Sequence, residues 1–157
     1  MRSVFACTLA LAVVAPSCSK PPTHPTSTQA VIVLSAPSQA TVGLCQPCGG
    51  GELEIAADLT ITETAGVGGS VTSIDVLLRR ASTLLAGPGQ YNAANVATFA
   101  GGTNRVAARG SLVIRNVAMH FANVFREQLP ATYSMHVTFR DDNNNTITAE
   151  ATVQAVP

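Results

Sequence analysis

The chain has 157 residues, with nine Lys and Arg against nine Asp and Glu, and charged residues make up only 11 % of it. A net charge of zero with so few basic residues excludes electrostatic capture of nucleic acid as a function. An aromatic content of 4 %, without tryptophan, disfavours a carbohydrate site built on ring stacking.

The first eighteen residues predict a secretory signal peptide. Arg2 supplies an early positive charge, and residues 4–15 are apolar with no ionisable side chain other than Cys7. This run is shorter than the roughly 20 residues that a membrane-spanning helix needs. We therefore expect export, and not a single-span membrane anchor.

The end of the signal peptide resembles the lipobox of bacterial lipoproteins. Ala15, Pro16 and Ser17 lead directly into Cys18, which would become the lipidated first residue of the mature protein. Pro16 and Ala15 depart from the usual residues of that motif, so cleavage without lipidation, giving a fully soluble exported protein, is the alternative. The resemblance implies contact with the lipid bilayer through an acylated Cys18. Because Ser19 follows in place of an aspartate, it also implies an outer-membrane location, facing the periplasm or the cell surface.

The next segment, residues 19–29, predicts a flexible linker. It is rich in Pro, Thr and Ser and has no apolar periodicity. Such a composition cannot bury enough apolar surface to offset its chain entropy. The remaining residues, 30–157, suit a single domain with one sizeable core.

Apolar residues recur mostly at every second position of this domain, which predicts antiparallel strands with one buried face. The strands expected in chain order are residues 30–35, 52–62, 72–80, 110–121, 133–139 and 147–153. Within residues 110–121 the apolar phase shifts by one, which predicts a β-bulge near Arg115 and Asn116. We expect residues 84–109 to be irregular or edge structure with one or two short strands. Helix indications are weak at residues 122–129 and weaker at 93–100.

Six to eight short strands separated by turn residues predict an all-β fold, an antiparallel β-sandwich of about seven strands. The segments "ITETAGVGGSVTSIDVLLR", "GTNRVAARGSLVI" and "VTFRDDNNNTITA" resemble the recurrent segments of immunoglobulin-like domains in exported bacterial proteins, many of them lipoproteins of unassigned role. The resemblance covers most of residues 52–149 and implies an immunoglobulin-like sandwich. Because the shared positions are strands, turns and glycines, it implies no reaction.

A run of carboxylates and amides follows the fifth expected strand. It comprises Asp141, Asp142, Asn143, Asn144 and Asn145. If Phe139 and Ile147 both face the core they lie opposite each other, which leaves residues 142–144 as a three-residue hairpin loop with Asn144 in the left-handed conformation. The alternative is a Ca²⁺ site with oxygen ligands, although the glutamate of the EF-hand spacing is absent.

Cys45 and Cys48 form a C-x-x-C pair ahead of three glycines and an expected strand. In an exported protein two such cysteines are expected to be oxidised, and a disulfide closing so short a loop stabilises by only about 2 kcal/mol. Thioredoxin-like sites place this motif at the start of a helix, whereas the period-two pattern after Cys48 predicts a strand. We favour a local structural disulfide over a reversible redox switch, a metal site or intermolecular pairing.

The remaining polar residues carry weaker indications of chemistry. His120 and His136 lie on expected strands, away from any nucleophile turn such as G-x-S-x-G, so no catalytic triad is expected. No second C-x-x-C or paired-histidine spacing completes a metal site with the two cysteines. The arginines are expected on solvent faces and strand edges, the alternative being a basic face for an acidic glycan or partner. They are Arg79, Arg80, Arg105, Arg109 and Arg115.

These observations predict a non-catalytic binding or structural module of the bacterial cell envelope. Its partners would be the lipid bilayer and an envelope protein or glycan, with no cofactor, no metal and no nucleic acid. The alternative function is an envelope thiol-disulfide protein that uses Cys45 and Cys48 for redox chemistry.

Overall fold

The computed structural model of the protein describes residues 28–45 and 51–157. The expected signal peptide with Cys18, most of the expected linker, and Cys48 lie outside these two ranges. Across the described ranges no helix is long and apolar enough to cross a membrane.

Nine strands, one α-helix and one 3₁₀ turn are found in the described residues. In chain order they are β1 (Ile32–Ser35), β2 (Thr41–Leu44), β3 (Leu53–Glu63), β4 (Gly69–Arg80), β5 (Thr83–Asn92), α1 (Ala93–Phe99), β6 (Arg105–Val106), β7 (Ser111–Phe121), the 3₁₀ turn (Arg126–Gln128), β8 (Ala131–Asp141) and β9 (Thr146–Ala155). The period-two pattern predicted β3, β4, β7, β8 and β9, and a short, wholly apolar run predicted β1. Neither pattern predicted β2, or β5 as one long strand.

The strands form two antiparallel sheets. In sheet 1, β3 is central, with β7 along one edge and β1 and β2 one after the other along the opposite edge. In sheet 2 the order is β5-β4-β8-β9, and the short β6 continues the β5 edge of β4. Between β1 and β2 the chain reaches across to sheet 2, where Gln39 pairs in parallel with Gln154 of β9.

This topology is immunoglobulin-like. The pairing of β3 with β7 in one sheet, and the order β5-β4-β8-β9 in the other, correspond to the B-E and C′-C-F-G neighbours of that sandwich. The strands β1 and β2 are two halves of one edge strand that is interrupted where the chain touches β9. The predicted all-β immunoglobulin-like sandwich is therefore confirmed, with seven principal strands once β1 and β2 are taken together and the two-residue β6 is set aside.

The core forms between the inward faces of the two sheets, because successive side chains of a strand point to opposite sides. Apart from one carboxylate at the end of β3, the largest fully buried side chains from β3, β4, β7 and β8 are Leu53, Ile55, Leu59, Ile61, Val71, Ile74, Leu78, Ile114, Tyr133, Met135 and Phe139. The rings of Phe121 and Tyr133 meet edge to face with centroids 6.0 Å apart. Helix α1 adds Val96 to the same core.

Residues 84–109 are more regular than the sequence indicated. Strand β5 pairs with β4 along most of its length, but the register shifts opposite Gly87 and Pro88. These two residues break the apolar alternation, which is why the strand was not predicted. Helix α1 follows at once, because the Asn92 side chain accepts hydrogen bonds from the backbone N–H groups of Ala94 and Asn95 and so caps it. Residues 122–129, the other weak helix prediction, contain only the 3₁₀ turn.

The bulge predicted in β7 is confirmed. Two residues, Arg115 and Asn116, oppose the single residue Asp58 where the register between β3 and β7 shifts. Asn116 takes a left-handed conformation with φ of 53°, and its backbone N–H donates to Asp58 Oδ1 at 2.8 Å. The side chain of Asp58 therefore satisfies a backbone donor that the bulge removes from the ladder.

Candidate functional site

A buried carboxylate lies at the end of β8. It occupies the next inward-pointing position after the last apolar residue that the strand directs into the core. Asp141 is only 3 % exposed. Its Oδ1 accepts hydrogen bonds from the backbone N–H groups of Asn143 and Asn145, at 2.9 and 2.8 Å. Its Oδ2 accepts from the Asn145 side chain at 2.9 Å and from the backbone N–H of Ala30 at 3.0 Å. Burial opposes the charge, but these hydrogen bonds, led by Asn145, lower the pKa of Asp141 below its ordinary value.

Strand β3 also ends in a buried carboxylate. Glu63, at an inward-pointing position of the strand, is 1 % exposed. Its two oxygens accept hydrogen bonds from the backbone N–H groups of Ala65, Gly66, Arg109 and Val31, at 2.7, 2.9, 2.8 and 3.3 Å. Burial alone would raise the pKa of Glu63, yet the four donors together lower it.

These two acids, one from each sheet, bind consecutive backbone amides of the incoming chain. Asp141 accepts a hydrogen bond from the N–H of Ala30, and Glu63 accepts one from the N–H of Val31. The side-chain amides of Asn143 and Asn145 donate to the carbonyl of Thr28, at 3.0 and 3.1 Å. We call Glu63, Asp141, Asn143 and Asn145 the tether clasp, and the end of the sandwich where it lies the clasp pole. The clasp attaches residues 28–31 to both sheets at once.

The β8–β9 hairpin has the register that the sequence predicted. Phe139 lies opposite Ile147, and Asn144 has φ of 66° with its N–H donating to the Asp141 carbonyl at 3.0 Å. The Asp142 carboxylate pairs with both terminal nitrogens of Arg105, at 3.0 and 2.7 Å. Protein donors therefore occupy both carboxylates of the run that was considered for Ca²⁺. In the described ranges no three His, Cys, Asp or Glu side chains are grouped to hold a metal ion.

A second candidate site crosses the outer face of sheet 2. Gln90, Asp75, His136 and Glu150 lie directly opposite one another on four adjacent strands, and we call them the polar row. Gln90 Nε2 donates to Asp75 Oδ1 at 2.9 Å. The His136 Nε2 atom lies 3.6 Å from Glu150 Oε1, and both side chains are more than two-fifths exposed. The row thus presents carboxylate and imidazole groups to solvent on the outer face of sheet 2.

Cys45, the first cysteine of the C-x-x-C motif, lies at the end of the sandwich opposite the clasp, which we call the distal pole. Cys45 is buried, and its backbone N–H donates to the carbonyl of Glu52 at 2.9 Å. The Glu52 carboxylate accepts from the backbone N–H of Asn123 at 2.8 Å and lies 3.0 Å from His120 Nε2. The Asn123 hydrogen bond, followed by that of His120, lowers the pKa of Glu52. Cys48 is outside the described residues, so the pairing of the two cysteines stays a prediction.

The structure separates residues that a metal or catalytic site would need together. His120 lies on the outer face of sheet 1, next to Glu52, and His136 lies on the outer face of sheet 2. Neither histidine hydrogen-bonds to a serine anywhere in the described part of the chain. The two histidines therefore do not share one site.

The arginines are likewise dispersed, so the alternative of one basic face is wrong. Arg79 and Arg80 end β4 at the distal pole, and Arg115 is at the bulge of sheet 1. Arg105 and Arg109 are at the clasp pole, where Arg105 is paired with Asp142. Surface arginines spread in this way suit strand ends and edges.

Sequence reasoning missed Glu63 and the polar row for different reasons. Glu63 is two residues after Ile61, on the face of the strand whose other residues are apolar. This alternation could have identified Glu63 as a buried acid. The polar row is invisible in the sequence, because its four members come from strands that become neighbours only in the sheet.

Comparisons with known proteins support the fold and nothing more specific. No protein-family model matches the chain, and no curated protein matches it. Among solved structures it is similar to the Northeast Structural Genomics Consortium target SoR45, with a TM-score of 0.50 and 8 % identity, covering 80 % of this chain and 86 % of that one. It is also similar to murine CRIg, with a TM-score of 0.38 and 16 % identity, covering 80 % of this chain and 97 % of that one.

Proposed function

We propose that the protein is a non-catalytic binding or structural module of the bacterial cell envelope, exported and attached to a membrane by lipid on Cys18. The observation that carries this proposal is the tether clasp. In it, two buried carboxylates and two asparagines hydrogen-bond to the backbone of three residues at the start of the domain, Thr28, Ala30 and Val31. A firm connection between the domain and the segment before it is needed if that segment anchors the domain to a membrane.

The clasp defines which end of the domain faces the attachment point. Ten peptide units separate Cys18 from Thr28, so a lipid on Cys18 would keep the clasp pole within about 35 Å of the membrane. A force on the linker would be transmitted to both sheets, because Asp141 belongs to sheet 2 and Glu63 to sheet 1. The distal pole and the outer sheet faces would then be directed away from the attachment point.

The polar row is the contact surface that we propose for an envelope protein or glycan. Asp75, His136 and Glu150 offer carboxylate acceptors and an imidazole on adjacent strands, and Thr138 and Thr148 border the same depression of the surface. Strands of a packed sheet hold these groups at fixed spacing, which lowers the entropy lost on binding.

Lipid attachment is tested by the mass of the mature amino terminus. The full-length chain, expressed in a bacterium with lipoprotein processing, should yield a mature protein that begins at an acylated Cys18 and fractionates with membranes. Cys18→Ser should abolish the added lipid mass, whereas Cys45→Ser serves as the matched cysteine control and should retain it. An unmodified amino terminus beyond residue 18 would refute the anchoring.

Partner binding is tested with variants of the polar row. Photo-crosslinking from Thr148 in whole cells should produce a discrete adduct that Asp75→Asn combined with Glu150→Gln removes. Glu54→Gln, which alters an exposed carboxylate on the outer face of sheet 1, is the matched control and should leave the adduct unchanged. Equal crosslinking by all variants would exclude the polar row as the contact surface.

The redox alternative finds little support in the residues that follow the C-x-x-C motif. After Gly51 and Glu52 the chain continues into the eleven-residue strand β3, and not into a helix whose dipole would lower a thiol pKa. Free-thiol titration of the purified protein, followed by an insulin reduction assay, distinguishes the two functions. Turnover that Cys45→Ser abolishes would establish the redox function instead.

A further inference from the structure

The three consecutive asparagines at the tip of the β8–β9 hairpin differ in how their side-chain amides are used. The Nδ2 atoms of Asn143 and Asn145 both donate to the Thr28 carbonyl, and that of Asn145 also donates to Asp141. Asn144 accepts a hydrogen bond from Arg140 through Oδ1 at 3.1 Å. Its Nδ2 donates to no group in the described part of the chain. Asn144 is also exposed, so its amide nitrogen alone among the three is free for chemistry.

The sequence selects the same asparagine. Asn144 is followed by Asn145 and Thr146, which is the Asn-x-Thr pattern of an acceptor for asparagine-linked glycosylation. Asn143 has an asparagine and Asn145 an isoleucine two positions later, so neither fits. No other asparagine of the 157 residues is followed two positions later by Ser or Thr. A pattern this short occurs by chance, and the exposed amide nitrogen is the structural context that gives it weight.

The local geometry leaves the whole pattern accessible in the folded domain. Asn144 is at the left-handed position of a three-residue loop, and Thr146 is the exposed first residue of β9. The Thr146 hydroxyl has no hydrogen-bond partner among the residues that the structure describes. Asp142, two residues before Asn144, is exposed as well, with its carboxylate paired to Arg105. A transferase can therefore reach these side chains without breaking a strand.

We propose that Asn144 is an asparagine-linked glycosylation site. The co-reactant is an oligosaccharide whose anomeric carbon is bonded to a lipid diphosphate. A bond forms between Asn144 Nδ2 and the anomeric carbon, and the bond from that carbon to the diphosphate oxygen breaks. The lipid diphosphate leaves with the bonding electron pair, and one amide proton is released to solvent. In the cell this requires the export that is part of the proposed function, but it does not require lipid on Cys18.

The direct test uses the purified full-length chain, a bacterial oligosaccharyltransferase and its lipid diphosphate-linked oligosaccharide. Intact-mass measurement should show one added glycan, and peptide fragmentation should place it on Asn144. A short acceptor peptide with the same motif is included in the tube to show that the enzyme is active. Absence of added mass on the protein while the peptide is modified would overturn the proposal.

Two variants remove the acceptor in independent ways. Asn144→Gly keeps the loop, because glycine readily adopts the left-handed conformation, and Thr146→Val keeps Asn144 while removing the hydroxyl. Both should lose the added mass completely, whereas the matched control Asn143→Gln should retain it. Glycan on Asn144→Gly would also overturn the proposal.

The test is independent of membrane anchoring. A chain that is glycosylated at Asn144 but not lipidated at Cys18 would contradict only the anchoring, since the reaction is carried out on purified protein. A lipidated chain that resists the transferase would contradict only the glycosylation site.

Discussion

The carboxylate of Asp141, at the end of β8, accepts a hydrogen bond from the backbone N–H of Ala30, 111 residues earlier in the chain, at 3.0 Å. Glu63 accepts a hydrogen bond from the backbone N–H of the next residue, Val31. The start of the domain is therefore held by charged groups and not by apolar packing alone. Hydrogen bonds to ionised acceptors are stronger than neutral ones, and they depend on pH.

Acid should weaken the fold through these two carboxylates. The folded state lowers the pKa of Glu63 and of Asp141, so their contribution is complete above the ordinary carboxyl pKa of about 4 and is lost as the pH falls through the lower folded value. We expect the free energy of unfolding to decrease below about pH 4. Urea unfolding at a series of pH values measures this dependence. Glu63→Gln should flatten it, whereas the exposed control Glu127→Gln should retain the wild-type slope, and equal slopes for both variants would contradict the prediction.

The bulge in β7 should depend on the residue that adopts positive φ. Asn116 has φ of 53°, a conformation that costs most non-glycine residues about 1–2 kcal/mol. Asn116→Val should therefore lower the free energy of unfolding by about 1–2 kcal/mol, while Asn116→Gly should be close to neutral. Urea denaturation of the two variants provides the comparison. Equal stabilities would show that the left-handed conformation is not retained.

Tyr133 should resist ionisation until the protein unfolds, and Tyr91 should ionise above its ordinary pKa. Burial, followed by the neighbouring Tyr91, raises the pKa of Tyr133, and burial, followed by the charge of Glu54, raises that of Tyr91. Because each folded pKa is raised, the stability that these groups contribute is complete below about pH 10 and is lost as the pH increases. Phenolate absorbance should stay low at about pH 10, and the phenolate of Tyr133 should appear only together with loss of β-sheet circular dichroism. Titration in denaturant is the control, and phenolate formation in the folded protein at its ordinary pH would disprove the expectation.

Gly69, the first residue of β4, should not tolerate a side chain. A Cβ at this position would lie 2.5 Å from both the Arg140 carbonyl oxygen and the Phe139 ring. Gly69→Ala should destabilise the domain by about 1–3 kcal/mol, because the backbone neighbour cannot move aside without strain. Gly43→Ala is the matched control, since nothing lies within 4 Å of a Cβ there, and it should change stability by less than about 0.5 kcal/mol. Similar urea midpoints for the two variants would rule out this close packing.

Several structural details followed from short-range sequence patterns. The hairpin between β8 and β9 was predictable to the residue, because placing Phe139 and Ile147 on the core face leaves one register and puts Asn144 at the left-handed position. The bulge at Asn116 was predictable because one extra residue shifts the apolar phase of β7. Strand β5 was not predictable, since Gly87 and Pro88 interrupt its alternation and only pairing with β4 holds it extended.

The sequence by itself determined the class of fold, the strands with an uninterrupted period of two, and the expectation of export. These depend on local alternation and on a terminal segment, both of which can be read without knowing any long-range contact. Only the tertiary structure decided that Glu63 and Asp141 bind adjacent amides, that the arginines are dispersed, and that Gln90, Asp75, His136 and Glu150 form one row. Such relationships join residues from different strands and sheets, and strand order is set by how two whole sheets bury their apolar faces against each other.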